Sequence, residues 1–79
     1  MGFLDFALGA VVGMANAADQ RQRRAMQLNE RGIRLAQSYH YEAALECFLE
    51  AESLVPNDPA IKRNIDLCYQ ALNMIDNYR

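Results

Sequence analysis

Few side chains in this sequence carry reactive chemistry. They are Cys47, Cys68, His40, Ser38, Ser53 and a carboxylate row at Glu42, Glu46 and Glu50. A structural metal would want closely spaced cysteine and histidine ligands, typically as CxxC with a histidine pair. The two cysteines stand far apart, with no CxxC and no histidine at ligand spacing, so no metal site is expected. Both read as small core or near-core residues rather than reactive thiols. Their number fits a reducing compartment and also permits one disulfide. A serine nucleophile needs a histidine base oriented by an acid, and neither Ser38 nor Ser53 has that set. His40 is the sole histidine. It falls between two helical patterns and reads as a hydrogen-bonding turn residue. The glutamate row could hold a cation or a basic peptide, but reads first as a solvated face. No glycine-rich phosphate loop follows a strand, because no strand is expected. The sequence therefore points away from an enzyme, and no cofactor is expected.

The elements that carry these residues are helical. In the first pattern Leu28, Gly32 and Leu35 fall on one stripe with Ala36 beside them, while Asn29, Glu30 and Arg34 face elsewhere. In the second, Ala44, Leu45, Phe48, Ala51, Leu54 and Val55 recur at intervals of three and four. Strand alternation fits neither segment. Small residues sit where two helices would approach closely: Gly32 and Ala36 on one, Ala44 and Ala51 on the other. A glycine inside a helix costs about 1 kcal/mol relative to alanine, and a close crossing at Gly32 would offset that. Ser38-Tyr39-His40 is the expected turn. Pro56 ends the second helix, because Val55 before it is driven out of helical geometry. Asp58 then caps a third helix, with Pro59 at its first position, where a missing N–H does no harm. In that helix Ile61, Ile65, Cys68, Tyr69, Leu72 and Ile75 form the apolar stripe, extended by Met74 and Tyr78. Lys62, Arg63, Asp66, Gln70, Asn73 and Asn77 form the polar side.

The stretch Leu28 to Pro59 resembles a tetratricopeptide repeat. That family shows a glycine among apolar residues in its first helix, Ala-x-x-x-Phe in its second and a closing proline, with a period of about 34 residues. Gly32, Leu35, Ala44, Phe48, Ala51 and Pro56 match in phase. Leu28 stands where the family often has tryptophan, and Tyr41 opens the second helix as the family's aromatic does. A second unit starts at Pro59 with Ile65 and Tyr69 in register, although Asp66 replaces the glycine. Arg31 departs from the usual leucine, and Tyr39 sits where a turn glycine is common. The resemblance covers about two thirds of the chain. It implies an all-α fold: one helix-turn-helix repeat plus a C-terminal capping helix, over residues 25–79. It also implies a concave groove lined by first helices, in which ligand peptides lie. On this chain Met26, Asn29, Ile33, Ala36 and Gln37 would face it, with Arg63 and Asn64 from the third helix. Some relatives grip a terminal carboxylate there with Lys and Asn. Ile33 stands where that clamp would place its Asn, so no such clamp is expected.

The chain has 79 residues, of which 52% are hydrophobic, enough for one small core and too many for a disordered chain. Net charge is −2, against the strongly basic balance of a nucleic-acid binder. The distribution is lopsided. Residues 1–40 carry five arginines against Asp5, Asp19 and Glu30, a balance of +2. Residues 41–79 carry three basic groups against seven acids, a balance of −4. Such asymmetry favours oriented contacts, including head-to-tail contacts between copies, although most of these charges read as solvated faces.

Residues 1–24 form the other expected unit: an apolar N-terminal helix and a basic link. Drawn as a helix, Leu4, Leu8, Val11, Ala15 and Ala18 line one side, widened by Phe3, Phe6, Ala7, Ala10 and Met14. Asp5, Gly9 and Asn16 make a narrow opposite strip. Such a helix needs cover. Gly9 and Gly13 form a GxxxG, which lets another helix approach closely. A membrane-spanning helix needs about 20 apolar residues; this run is shorter and holds Asp5. A signal peptide could use Ala15-Asn16-Ala17 for cleavage but lacks a basic leader. Myristoylation wants Ser or Thr where Phe6 stands. Packing on protein is preferred, with attachment to a membrane surface next. Arg21, Arg23 and Arg24 would then meet anionic headgroups, or else form a solvated link that nothing prevents from joining the first repeat helix. No aromatics interleave with them to stack on bases.

One repeat buries too little alone, since about three are usually needed. The missing surface is expected from the N-terminal helix, a second copy or a partner. The sequence reading is thus a cytoplasmic, non-enzymatic adaptor. It self-associates or joins a larger assembly through Phe3, Leu4, Phe6, Leu8, Gly9, Val11, Gly13 and Met14. The alternative is a membrane-attached or exported small protein with the repeat as its soluble head.

Overall fold

The computed structural model describes Phe6 and residues 17–77. Three α-helices account for the described chain: α1 (Ala17–Gln37), α2 (Tyr41–Leu54) and α3 (Pro59–Asn77). The described residues contain no strand, and the fold class is all-α, as the spacing of apolar residues predicts. The basic stretch 19–24 lies inside α1, so the expected link is continuous with the first repeat helix. The expected assembly residues Phe3, Leu4, Leu8, Gly9, Val11, Gly13 and Met14 lie outside the described residues. Phe6 is described, and it belongs to no helix.

The turn between α1 and α2 closes on its own backbone. His40 N–H donates to the carbonyl of Leu35 (2.9 Å) and Tyr39 N–H to that of Ala36 (3.0 Å). That pair of bonds is the Schellman arrangement, which requires a left-handed residue at its centre. Tyr39 supplies it with φ 67°, a conformation that glycine adopts without strain and a tyrosine does not. Its ring lies edge-on to Tyr41, centroids 6.3 Å apart. His40 then precedes α2. Its carbonyl accepts the Ala44 N–H (2.9 Å), but its side chain makes no cap hydrogen bond. Glu42 places a negative charge in the first turn of α2, where the helix dipole favours it.

At the other corner Val55 is extended (φ −136°, ψ 77°), as a residue before proline must be, and α2 ends there. Asp58 caps α3 as expected. Its Oδ1 accepts the N–H of Ala60 (2.8 Å) and, more weakly, that of Ile61 (3.4 Å).

The core is built from Ala25, Leu28, Ile33 and Ala36 of α1, Ala44, Phe48 and Ala51 of α2, and Ile61, Ile65 and Cys68 of α3. Leu35, Leu45, Leu54 and Val55 pack around it half-buried. Two expectations need correction. Asn29 does not face away from the core but is buried. On α3 the buried stripe is Ile61, Asn64, Ile65, Cys68 and Ala71, whereas Tyr69 and Ile75 are exposed and Leu72 is half-buried. One physical reason is length. The first residue of α2, Tyr41, packs against the core that includes Cys68. The 19-residue α3 therefore outruns the 14-residue α2, and the level of Ile75 has no α2 neighbour.

Candidate functional site

Gly32 and Phe48 mark the place where α1 and α2 come closest. A methyl group added at Gly32 would lie 2.5–2.9 Å from the Cε1, Cδ1 and Cζ atoms of Phe48. No side chain fits there, and this is why the helix tolerates its glycine. Phe48 is completely buried. Its ring is also stacked against Phe6, with centroids 5.8 Å apart and planes inclined by 18°. Offset stacking of this kind contributes about 0.5–1.5 kcal/mol beyond the area it buries. One residue of the apolar N-terminal stretch, itself half-buried, thus packs against the three-helix core, a contact that residue spacing did not disclose.

The residues expected to line a groove are found in three environments. Gln37 and Arg63 are exposed, and Met26 is half-buried. Asn29, Ile33, Ala36 and Asn64 are buried. Asn64 Nδ2 donates to Asn29 Oδ1 across 2.8 Å, a direct bond between α1 and α3. A buried amide needs such a partner, because leaving it without one costs about 1–3 kcal/mol. Asp19 is likewise buried, in the first turn of α1, and accepts from Arg23 Nε at 2.9 Å. The basic stretch is therefore not wholly a solvated link. An acid in this place is favoured by the unpaired amides of the helix start.

The candidate nucleophiles are quiet. Cys68 is fully buried, and burial pushes its thiol pKa up to about 11. Cys47 is half-buried and also raised, by burial first, with Glu50 and Glu46 adding to the effect and Arg31 and Arg24 opposing it. Both are free thiols. Ser53 Oγ donates to the Glu50 carbonyl (2.6 Å) within its own helix. No group of three or more His, Cys, Asp or Glu among the described residues could hold a metal ion. No described helix is long and apolar enough to cross a membrane.

An open pocket of about 460 Å³ lies beside Arg31, Arg34, Leu35 and Ser38 near the end of α1. Arg24 of α1 pairs with Glu50 of α2 at the surface, and Lys62 of α3 with the half-buried Glu52 of α2, each at 3.7 Å. Compared with known proteins, the chain matches no family model, no curated protein and no solved structure.

Proposed function

We propose that this chain is a non-enzymatic protein-interaction module of tetratricopeptide-like architecture, in which a small helical unit is completed by an apolar segment. One observation carries the reading: Phe6 is stacked on Phe48, the ring that closes on Gly32. The glycine, the phenylalanine and the close crossing between them are what the repeat resemblance implies for α1 and α2, with α3 as the cap. The N-terminal stretch supplies an aromatic anchor to that same place. Three short helices leave part of their apolar surface without a neighbour, including Leu49, Tyr69, Met74 and Ile75. The module assembles with a second copy, or with a larger complex, through the apolar N-terminal stretch.

The test is thermal melting together with light scattering on the full chain, on Phe6→Ala and on a form without residues 1–16. The expected result is a lower melting temperature and a smaller assembly mass in both variants. An unchanged melt and an unchanged mass would overturn the proposal. Recovery of the full chain with lipid vesicles, and no protein assembly, would favour the membrane-attached alternative instead.

A further inference from the structure

The outer face of the α1–α2 hairpin is charged in two parallel strips. Arg24, Gln27, Arg31 and Arg34 recur at intervals of three and four, which places them on one side of α1. Glu42, Glu46 and Glu50 do the same on α2. All seven are exposed to solvent. The strips adjoin, because Arg24 reaches Glu50 at 3.7 Å. The half-buried Cys47 lies between them and feels Arg31 and Arg24 from one side and Glu46 and Glu50 from the other. The positive strip does not exhaust itself on the negative one. Arg24 pairs with Glu50, while Arg31 and Arg34 flank the open pocket over Leu35 and Ser38.

This pattern is complementary to itself. A two-fold rotation about an axis parallel to the helices, midway between them and just above this face, exchanges left and right and preserves height. It would lay α1 of one copy over α2 of the other, and the reverse, with arginines opposite glutamates at matching levels. Closed two-fold contacts of this isologous kind need only one such patch. We infer that the α1–α2 face is a docking surface for a second copy of this chain, with Arg31 and Arg34 of each copy meeting the glutamate strip of the other. Exposed ion pairs are individually weak, so this contact is weak and salt-sensitive. It is separate from the apolar N-terminal contact, which salt does not weaken.

The experiment is sedimentation equilibrium of the full chain at about 50 mM and about 500 mM sodium chloride. Two charge-reversal variants accompany it: Arg31→Glu/Arg34→Glu and Glu46→Arg/Glu50→Arg. Glu42 is left alone because it supports the start of α2. Circular dichroism checks that each variant remains helical, and Arg31→Gln/Arg34→Gln serves as a milder replacement if one does not. High salt should weaken the self-association of the full chain by about tenfold, and each variant alone should show the same loss at low salt. An equimolar mixture of the two reversed variants should recover it, since both of their cross-pairings are again opposite in sign. A bismaleimide should link copies through Cys47 at low salt and not at high salt. Failure of the mixture to recover association would overturn the inference, as would association indifferent to salt or a monomer at low salt. Salt-indifferent association would leave the N-terminal contact standing, so the two proposals fail separately.

Discussion

Gly32 illustrates how one residue without a side chain can decide a fold this small. Helix propensity alone would reward Gly32→Ala by about 1 kcal/mol. The Phe48 ring stands where the new methyl would go, and a fully buried ring stacked against Phe6 has little room to yield. Overpacking of this kind typically costs about 1–3 kcal/mol. Gly32→Ala should therefore lower the unfolding free energy, read from the urea midpoint. A rise would show that the ring moves freely. Cys68 makes a second point at the same scale. Its thiol pKa is about 11 when folded, above the ordinary value of 9.0. The folded chain then holds a proton that the unfolded chain releases. Stability from this group is complete below about pH 9 and declines as pH rises towards about 11. A melt series across that window should show the decline, and Cys68→Ala should flatten it. At neutral pH a thiol reagent should modify the half-buried Cys47 first and Cys68 only on unfolding.

The ends of the helices were the most legible features of the sequence, because they rest on local chemistry. Pro56 dictates the extended Val55, and Asp58-Pro59 dictates the start of α3; both act within a few residues and owe nothing to the rest of the fold. The two N-termini are unequal, however. Asp58 caps α3 with its own carboxylate, whereas His40 offers α2 no side-chain acceptor. Asp58→Ala should cost about 1 kcal/mol, measured by chemical denaturation, and His40→Ala should cost distinctly less. Apolar positions on α2 were equally readable, since Ala44, Phe48 and Ala51 are buried as their spacing implies. Polar positions were not. Asn29 and Asn64 are buried against each other from two helices, and pairing at that range leaves no periodic trace in the chain, whereas the buried Asp19 pairs with Arg23 at the local spacing of four. Ile75 continues the rhythm of α3 towards its end, past the buried Cys68 and Ala71, whereas Tyr69 adjoins Cys68 and lies off the buried stripe of Ile61, Asn64, Ile65, Cys68 and Ala71. The groove expected between the first helices depended on which faces of α1 and α3 meet, and four of its seven residues are buried. The contact of Phe6 with Phe48 was beyond local reasoning altogether.

On the scale of the molecule, three helices pack around one large aromatic ring, and α1 and α3 are joined inside by the Asn29–Asn64 bond. Asn64→Ala should cost about 1 kcal/mol, because it removes the buried hydrogen bond between α1 and α3. Loss of much less would mean that solvent reaches the amide. Aliphatic cores of this size have an inherent ambiguity: leucine and isoleucine surfaces look much the same after a helix slides by one turn. Amides are less forgiving. If α3 advanced or retreated past α1 by one turn, about 5.4 Å, the 2.8 Å bond between the two buried carboxamides would be lost. The pair thus works as a detent between the first and last helices. It excludes shifted arrangements more than it strengthens the correct one, and so keeps a very short chain to a single alignment.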